Sequence, residues 1–529
     1  MTRDISLNLA ASTSILSSNE ARLCSHLADG KYRTQVASLC SKYPNLRYPD
    51  LGAPRSDSVG KVVSLDLSSG DTSVRRDFTD PAELESYLEA TRCTNPGEST
   101  TRRILLVEGS DPRYVGLLGS YFDIEPMLIV RQQRTASWEA YHQSGNTPTL
   151  PSLLDPRRTC HIPYYELHYR SQGLNDKTQW RCADSGRQLS WSRLPGTFDF
   201  VGIIDRKASY WSQRRGSDGW DAILFLDPPV RNIRPDVGYT ENMGSVPYQG
   251  GYTDFIKYTT LQDVCRTTGP SRKSMLEDVC YYWTNHASCI DVQGDPAVST
   301  IFLKKIIASN YMILIEHGRA MLSTIELSLS RQGQDISELQ IAWAEQRWSD
   351  LQSWNRRYSE HCENVESIIE IDRISSPEED ASNDWLSSKY DFHVIHRKLC
   401  DHKRRSEALI SSLTGLAGIL GSRQTLREAN RSLHEAKRVK ILTSLGMVFA
   451  PWFLTSGIFS MSDKFLPGAK LFWIYFAVTI PLVPVVFGVA FLVTLGYGDD
   501  SEWSSKEFWK AIRSHGSSAL DYCSRLVSR

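Results

Sequence analysis

Two long apolar runs near the C-terminal end constrain this 529-residue chain more than any other feature. Residues 441–461 and 471–496 contain no Asp, Glu, Lys, Arg or His. A helix crosses the roughly 30 Å hydrocarbon core of a bilayer with about 20 apolar residues, so each run is long enough to span a membrane. Since only residues 462–470 separate the runs, we predict an antiparallel hairpin of two transmembrane helices in the lipid bilayer. Two buried core helices are the less favoured alternative.

The basic residues predict the orientation of this hairpin. Residues 396–440 hold eleven Lys and Arg against four Asp and Glu, whereas the linking loop 462–470 holds two Lys and one Asp. Cytoplasmic segments that flank membrane spans are enriched in Lys and Arg, so both termini are predicted to be cytosolic. We therefore expect a multi-pass integral membrane protein of the plasma membrane, with an organelle membrane as the alternative.

The rest of the chain predicts an α/β N-terminal cytosolic domain and a mostly helical C-terminal half. Residues 103–107, 127–130, 199–204 and 222–226 have the short apolar runs of buried strands, and residues 114–122 have helical spacing. In chain order we predict a variable leader (1–75), the body with its C-terminal helices (76–370), an acidic loop (371–386), a stalk helix (387–440), a first transmembrane helix (441–461), an external loop (462–470), a second transmembrane helix (471–496) and a cytosolic tail (497–529).

The stalk and the first apolar run carry apolar or small residues at steps of three and four. In the stalk this spacing is typical of the apolar seam of a coiled coil, in which the helix packs against copies of itself or against a neighbouring helix. The stalk seam comprises Ile419, Ser422, Leu426, Ala429, Leu433 and Ala436. Gly415, Gly418 and Gly421 either weaken this helix or allow close backbone approach. In the first apolar run, the same spacing defines one face of the helix, which comprises Leu442, Gly446, Ala450, Phe453 and Gly457. If identical helices surrounded an axis, this face would line a pore. A tight bundle of helices without a pore is the alternative.

Composition and motifs disfavour several other classes of protein. The formal net charge of -1 gives no reason to expect a nucleic-acid partner. Eleven cysteines without a C-x-x-C pair are most simply free thiols in a reducing compartment. The sequence has no Gly-rich phosphate loop, G-x-S-x-G or H-E-x-x-H motif, so we predict that it is not an enzyme and holds no cofactor.

One motif competes with this interpretation. Residues 494–499 (TLGYGD) copy the filter signature of potassium channels. That filter lies between a short pore helix and an inner membrane helix. Here the motif follows a full-length apolar run, and no second apolar run follows it. A potassium-selective channel is therefore the less favoured hypothesis.

The first apolar run resembles the first membrane helix of CorA-type magnesium transporters, especially a divergent fungal CorA-like group. The family pattern reads roughly L-T-x5-F-x-P-x5-G-I-[YF]-G-M-N, and the matching positions here are Leu442, Thr443, Phe449, Pro451, Gly457, Ile458 and Met461. Looser similarity covers residues 103–108, 121–126, 219–220 and 227–228, so that the resemblance extends over most of residues 100–496.

The resemblance implies a homopentamer that transports a divalent cation, with Mg²⁺ as the expected ion. It implies an outer ion filter of Gly457, Ser460, Met461 and Ser462, in which Ser462 contacts the hydrated metal ion, and a pore lining or gate of Leu442, Gly446, Ala450 and Phe453. The sequence departs from the family at the signature Gly-Met-Asn, which is Ser460-Met461-Ser462 here. Five Phe453 side chains would form a dry constriction. A non-conducting membrane scaffold or regulator is therefore the alternative function.

Overall fold

The computed structural model of the chain forms two compact units, Met1–Thr414 and Gly415–Arg529. It describes Tyr32, Ser38 and residues 60–67, 73–92, 101–109, 111–133, 155–170, 180–194, 199–216, 218–235, 240–243, 246–331, 338–375, 387–461, 468 and 470–496. Residues 376–386 of the predicted acidic loop, the tail from residue 497 and most of the predicted leader therefore lie outside the described residues. Residues 371–375, which were also assigned to that loop, are the last residues of a helix that ends at Ser375.

The first unit is built on a mixed β-sheet with eleven described strands in the spatial order β10-β9-β5-β6-β7-β8-β3-β1-β2, with β4 pairing to β7 and β11. All of these pairs are antiparallel except β3 with β8. The strands are β1 (Lys61–Asp66), β2 (Val74–Phe78), β3 (Arg102–Glu108), β4 (Thr159–Arg170), β5 (Trp180–Cys182), β6 (Gln188–Arg193), β7 (Phe200–Arg215), β8 (Gly219–Leu226), β9 (Asn232–Pro235), β10 (Glu241–Asn242) and β11 (Val246–Pro247).

Helices follow and flank this sheet. The α-helices are α1 (Pro81–Arg92), α2 (Pro112–Phe122), α3 (Pro126–Gln133), α4 (Leu261–Arg266), α5 (Met275–His286), α6 (Ile301–Arg331), α7 (Glu338–Ser375), α8 (Lys389–Phe459) and α9 (Trp473–Gly496), and short 3-10 helices span Tyr248–Gly250, Ala287–Cys289 and Pro296–Thr300. An α/β sheet domain thus precedes a mostly helical half with long helices, which confirms the predicted fold class at this level.

Strand β8 explains why the sheet needs helices on both faces. All eight of its residues are buried. Ala222 and Leu224 pack into a core with α5, α6, α7 and the start of α8, whereas Ile223 and Phe225 pack into a second core with α1, α2 and α3. A strand buried on both faces is a continuous apolar run rather than an alternating one, and the run at residues 222–226 has that character.

Two predictions about the body are wrong. Residues 127–130, predicted as a strand, belong to helix α3, since four apolar residues are too few to distinguish a strand from a turn of buried helix. Strand β1 lies inside the predicted leader of residues 1–75, although it is buried between β2 and β3. Its apolar stretch is short, and pairing with strands that come later in the chain is what orders it.

Buried ion pairs connect the long helices of the first unit. Lys304 on α6 donates to Asp372 on α7 with an Nζ–Oδ1 distance of 2.6 Å, and both side chains are buried. Burial disfavours the charged amine, but the Asp372 carboxylate outweighs this effect and raises the pKa of Lys304. The neighbouring Lys305 donates to Asp391 on α8 at 2.7 Å, where the carboxylate is more exposed.

Replacing Lys304 by Met should destabilise the first unit by about 3–5 kcal/mol, because the Asp372 carboxylate would remain buried without its charge partner. The measurement is the unfolding free energy of the full-length protein in detergent. The double variant Lys304→Met/Asp372→Leu should recover most of the loss, and Lys305→Met should cost less because Asp391 reaches water. Equal losses for Lys304→Met and Lys305→Met would contradict the assignment.

Candidate functional site

The predicted pore face of α8 is open to its surroundings in the single chain. Leu442 and Phe453 expose 70% and 75% of their surface, and Ala450 is also exposed. A Cβ atom added to Gly446 or Gly457 would meet no described heavy atom within 4 Å beyond the helix itself. The structure therefore places these five residues on the second unit's surface, where the chain's own described residues leave them uncovered.

A different face of α8 packs against α9. Thr455 and Thr479 are both buried, and their hydroxyl oxygens lie 2.8 Å apart. The ring of Trp452 lies 6.2 Å from the rings of Tyr475 and of Phe476. These contacts pair later residues of α8 with earlier residues of α9, so the two helices pack antiparallel.

Helical geometry relates the two faces of α8. The face toward α9 includes Thr455, Trp452 and Phe459, and it continues at steps of three and four through Val448 and Ile441, which share a groove with Phe487 of α9. At about 100° per residue, this face lies about 140° around the helix from the predicted pore face. Packing of α9 therefore leaves the predicted pore face free to meet another molecule.

The threonine pair was missed in the sequence analysis. Thr455 can also donate to the carbonyl oxygen of Pro451 at 2.8 Å, and Thr479 to that of Tyr475 at 2.7 Å. Each hydroxyl has one proton, so one of the two must donate across the helix pair while the other satisfies its own helix. Polar residues within apolar helices frequently form such interhelical bonds, but residues 441–461 also contain Thr443, Ser444, Ser456 and Ser460, so the sequence did not single out Thr455.

The C-terminal end of α8 is where the sequence predicts the ion filter. The backbone N–H of Ser460 donates to the carbonyl of Ser456 at 2.9 Å, and that of Met461 donates to Ile458 at 3.3 Å, so the helix closes here. The C-terminus of a helix carries a partial negative charge, and the last turn of α8 has no basic residue to offset it. Met461 is 88% exposed. Ser462, the predicted metal-contacting residue, lies outside the described residues.

The stalk seam is also exposed. Ile419, Leu426 and Leu433 lie seven residues apart, and each exposes more than half of its surface. Ser422, Ala429 and Ala436 complete the seam and are exposed as well. Apolar side chains at heptad spacing normally face another helix, so this row is a surface without its partner in the single chain.

Three described helical segments are long and apolar enough to cross a membrane: Pro296–Leu329, Lys389–Phe459 and Trp473–Ala490. The apolar window of the first is 67% buried within the protein, whereas those of the second and third are 12% and 6% buried. The first segment has already buried its apolar surface in the core around the sheet. Only the other two present apolar surface that a bilayer could cover.

Metal-binding side chains do not gather elsewhere in the described part of the chain. Among those residues, no group of three or more His, Cys, Asp and Glu is arranged to hold a metal ion. The acidic residues 378–380 and the residues 497–499 of the potassium-filter motif lie outside the described ranges. The predicted contact of a cation with the residues at the end of α8 stays a prediction.

Comparison with known proteins finds a family model that matches part of the C-terminal half. Residues 358–495, about a quarter of the chain, match the family model described as CorA-like Mg²⁺ transporter protein. The match covers the second half of α7, all of α8 and nearly all of α9, and it confirms the resemblance read from the first apolar run. The family is one of transporters, in agreement with the prediction that the chain is not an enzyme. No curated protein matches the chain.

Two solved structures are similar over most of their length. The full-length CmaX protein is 11% identical, with a TM-score of 0.31 over 82% of this chain and 98% of its own. The CorA magnesium transporter from Methanocaldococcus jannaschii is 10% identical, with a TM-score of 0.25 over 81% of this chain and 96% of its own. These scores are too low to carry an argument, and the similarity to the CorA-like family rests on residues 358–495.

Proposed function

We propose, from the premise that residues 358–495 form a CorA-like domain, that this protein carries divalent cations across a membrane, with Mg²⁺ as its transported ion. The observation that carries the proposal is the family match, which spans both exposed apolar helices. No covalent chemistry is required, since the ion would move down its electrochemical gradient.

The membrane assignment follows from exposed apolar surface. In residues 441–459 of α8 and in α9, large apolar side chains lie on the surface of the single chain. Water opposes such exposure, and a bilayer removes the cost. We infer two membrane spans, residues 441–461 and 471–496, with the loop 462–470 outside and both termini in the cytosol, as the excess of Lys and Arg in residues 396–440 favours.

The oligomer follows from the two open faces of α8. The stalk seam needs an apolar partner, and the face of Leu442, Gly446, Ala450, Phe453 and Gly457 is left free by α9. Copies of α8 packed around an axis would cover one another's stalk seams. Their open faces would then line a path for the ion along that axis. A homopentamer is the arrangement that the CorA resemblance implies.

The ion filter is proposed at the outer end of this path. Mg²⁺ loses its water reluctantly, so a ring of hydroxyl and carbonyl oxygens that hydrogen-bonds to the hydrated ion suits it better than direct ligands. Ser460 and Ser462 supply hydroxyls, and the backbone near Gly457 and Met461 supplies carbonyls at the negative end of the helix dipole. Ser462 occupies the position at which the family has Asn, and its hydroxyl is on a shorter side chain than the Asn amide.

The proposal is tested by ion uptake in cells that lack their own magnesium transport. The wild-type protein should restore growth at low Mg²⁺ and Mg²⁺ uptake, and Ser462→Leu should abolish both by removing a ring of hydroxyls. The matched control is Ser456→Leu, an exposed serine at a different angle on α8, which should retain uptake. Expressed protein without rescue, or equal uptake by wild type and Ser462→Leu, would count against this ion path.

A second candidate function is a non-conducting membrane scaffold or regulator of the same fold. The exposed Phe453 on the open face favours it, because a ring of phenyl groups excludes water and ions. The replacement of Gly-Met-Asn by Ser460-Met461-Ser462 favours it as well. In the uptake experiment this function predicts no rescue by a wild-type protein that reaches the membrane as an oligomer.

A further inference from the structure

Two cysteines from different helices of the first unit lie in contact. Cys362 on α7 and Cys400 on α8 are both free, and their sulfur atoms are 3.6 Å apart. A disulfide bond is about 2.05 Å long, so the sulfurs must approach by roughly 1.6 Å to form one. Closure of the bond requires this movement from the two side chains and their helices.

The helices around these cysteines are held in a defined register. Ser406 on α8 donates to the Oδ1 of Asn355 on α7 at 2.8 Å, and the rings of His402 and Tyr358 lie 5.6 Å apart. Earlier residues of α7 thus meet later residues of α8, and the sulfur contact continues the same antiparallel register. The neighbouring contacts keep the two thiols opposite each other.

The surroundings of the two thiols differ. The Nε2 of His396, one helical turn before Cys400, lies 3.7 Å from the Cys400 sulfur, and Cys400 is half-buried. Cys362 is 8% exposed, and its burial, together with Cys400, raises the pKa of its thiol to about 12. The positive charge of Lys403 lowers the pKa of the Cys362 thiol, whereas the negative charge of Glu363 raises it further. Cys400 is half-buried and lies beside the His396 ring, so it is the thiol that an oxidant reaches first, and the more deeply buried Cys362 is placed to close the disulfide.

We propose that Cys362 and Cys400 are an oxidation site that closes an intramolecular disulfide between α7 and α8 when the protein meets a hydroperoxide. The Cys400 thiol gives its proton to His396, and the thiolate attacks one peroxide oxygen. The O–O bond breaks and Cys400 becomes a sulfenic acid, while the departing oxygen takes back the proton from His396 and leaves as water when the oxidant is hydrogen peroxide.

The second step closes the bond. The Cys362 sulfur attacks the Cys400 sulfur, the S–O bond breaks, and the hydroxyl group leaves as water with the Cys362 proton. The two thiols together lose two electrons and two protons, and one hydrogen peroxide is reduced to two water molecules. The disulfide covalently joins two helices that are otherwise held by side-chain packing, and a thiol reductant reverses it. This site is independent of ion transport.

The test uses the full-length protein in detergent, treated with hydrogen peroxide, alkylated and digested without reductant. Mass spectrometry should find a Cys362–Cys400 cross-linked peptide that lacks two hydrogen atoms and disappears after reduction. Cys362→Ala and Cys400→Ala should each lose this peptide. The control Cys265→Ser/Cys289→Ser, which removes two exposed cysteines, should retain it.

The role of His396 is tested by the rate. His396→Asn should slow cross-linking about tenfold near neutral pH, because it removes the base that lies 3.7 Å from the Cys400 sulfur, and alkaline pH should restore the rate because hydroxide replaces that base. A purely structural role would not produce that recovery. The proposal is overturned if peroxide leaves both thiols unmodified in the wild-type protein. It is equally overturned if Cys400 proceeds to a sulfinic acid without joining Cys362.

Discussion

Replacing Phe453 by Thr is expected to raise Mg²⁺ uptake about tenfold, which corresponds to lowering the barrier for ion passage by ~1.4 kcal/mol. Phe453 exposes 75% of its surface on the face of α8 that α9 leaves free. Copies of this side chain around an axis would form an apolar constriction that excludes water. Such a constriction is a barrier to a strongly hydrated ion. A threonine ring is smaller and supplies hydroxyls that hydrate the path. Uptake per mole of membrane-inserted protein is the measurement.

The matched control for this experiment is Leu454→Thr. Leu454 is the next residue and is also exposed, at 61%, but it lies about 100° away around the helix. The Leu454→Thr substitution also replaces a large apolar side chain by threonine, but it does not widen the proposed ion path. Mg²⁺ uptake should therefore remain near the wild-type level. If Phe453→Thr leaves uptake unchanged while the protein is inserted and oligomeric, Phe453 does not line the ion path.

Introducing Glu at Leu426 and Leu433 together is expected to dissociate the oligomer. Both residues lie on the stalk seam and are more than half exposed in the single chain. Burial of a leucine contributes about 1.5–3 kcal/mol, so the double variant loses roughly 3–6 kcal/mol of association energy per subunit and brings like charges together. The mass of the detergent-solubilised protein, measured by light scattering, should fall from that of the oligomer to that of one chain.

A second double variant separates the seam from a general effect of charge. Gln424→Glu and Arg431→Glu introduce the same acid on the side of α8 that lies about 160° from Leu426 and Leu433. Gln424 and Arg431 make only exposed contacts to residues four positions later, Glu428 and Glu435. This control should keep the oligomer mass. An unchanged mass for the seam variant would show that the stalk seam is not an interface between copies.

Both predictions depend on a distinction that apolar spacing does not make. In residues 441–461, almost every position is apolar or small, so the repeat at Leu442, Gly446 and Phe453 is compatible with facing a pore, a partner or α9. The contacts of Thr455 and Trp452 with α9 assign one face to the helix pair. Only then does Phe453 become a residue that meets either lipid or another copy of the chain.

The body shows the same limit for short segments. The buried runs at residues 103–107 and 222–226 were predicted correctly as strands, because apolar runs of this length between turns have few alternatives. The run at residues 127–130 was assigned wrongly, because Leu128 and Ile129 are buried in the second core as part of a helix, which four apolar residues do not reveal. Strand β1 was missed because both of its pairing partners come later in the chain.

The sequence by itself determined that a basic stalk is followed by two apolar helices, and it indicated similarity to the CorA-like family. Those properties are local, since helix length, the absence of charge and motif residues can each be read from consecutive positions. The tertiary structure decided which face of α8 packs on α9, that two threonines meet across the pair, and that Cys362 and Cys400 touch. Such contacts join residues distant in sequence, and they depend on the packing of whole helices rather than on any local preference.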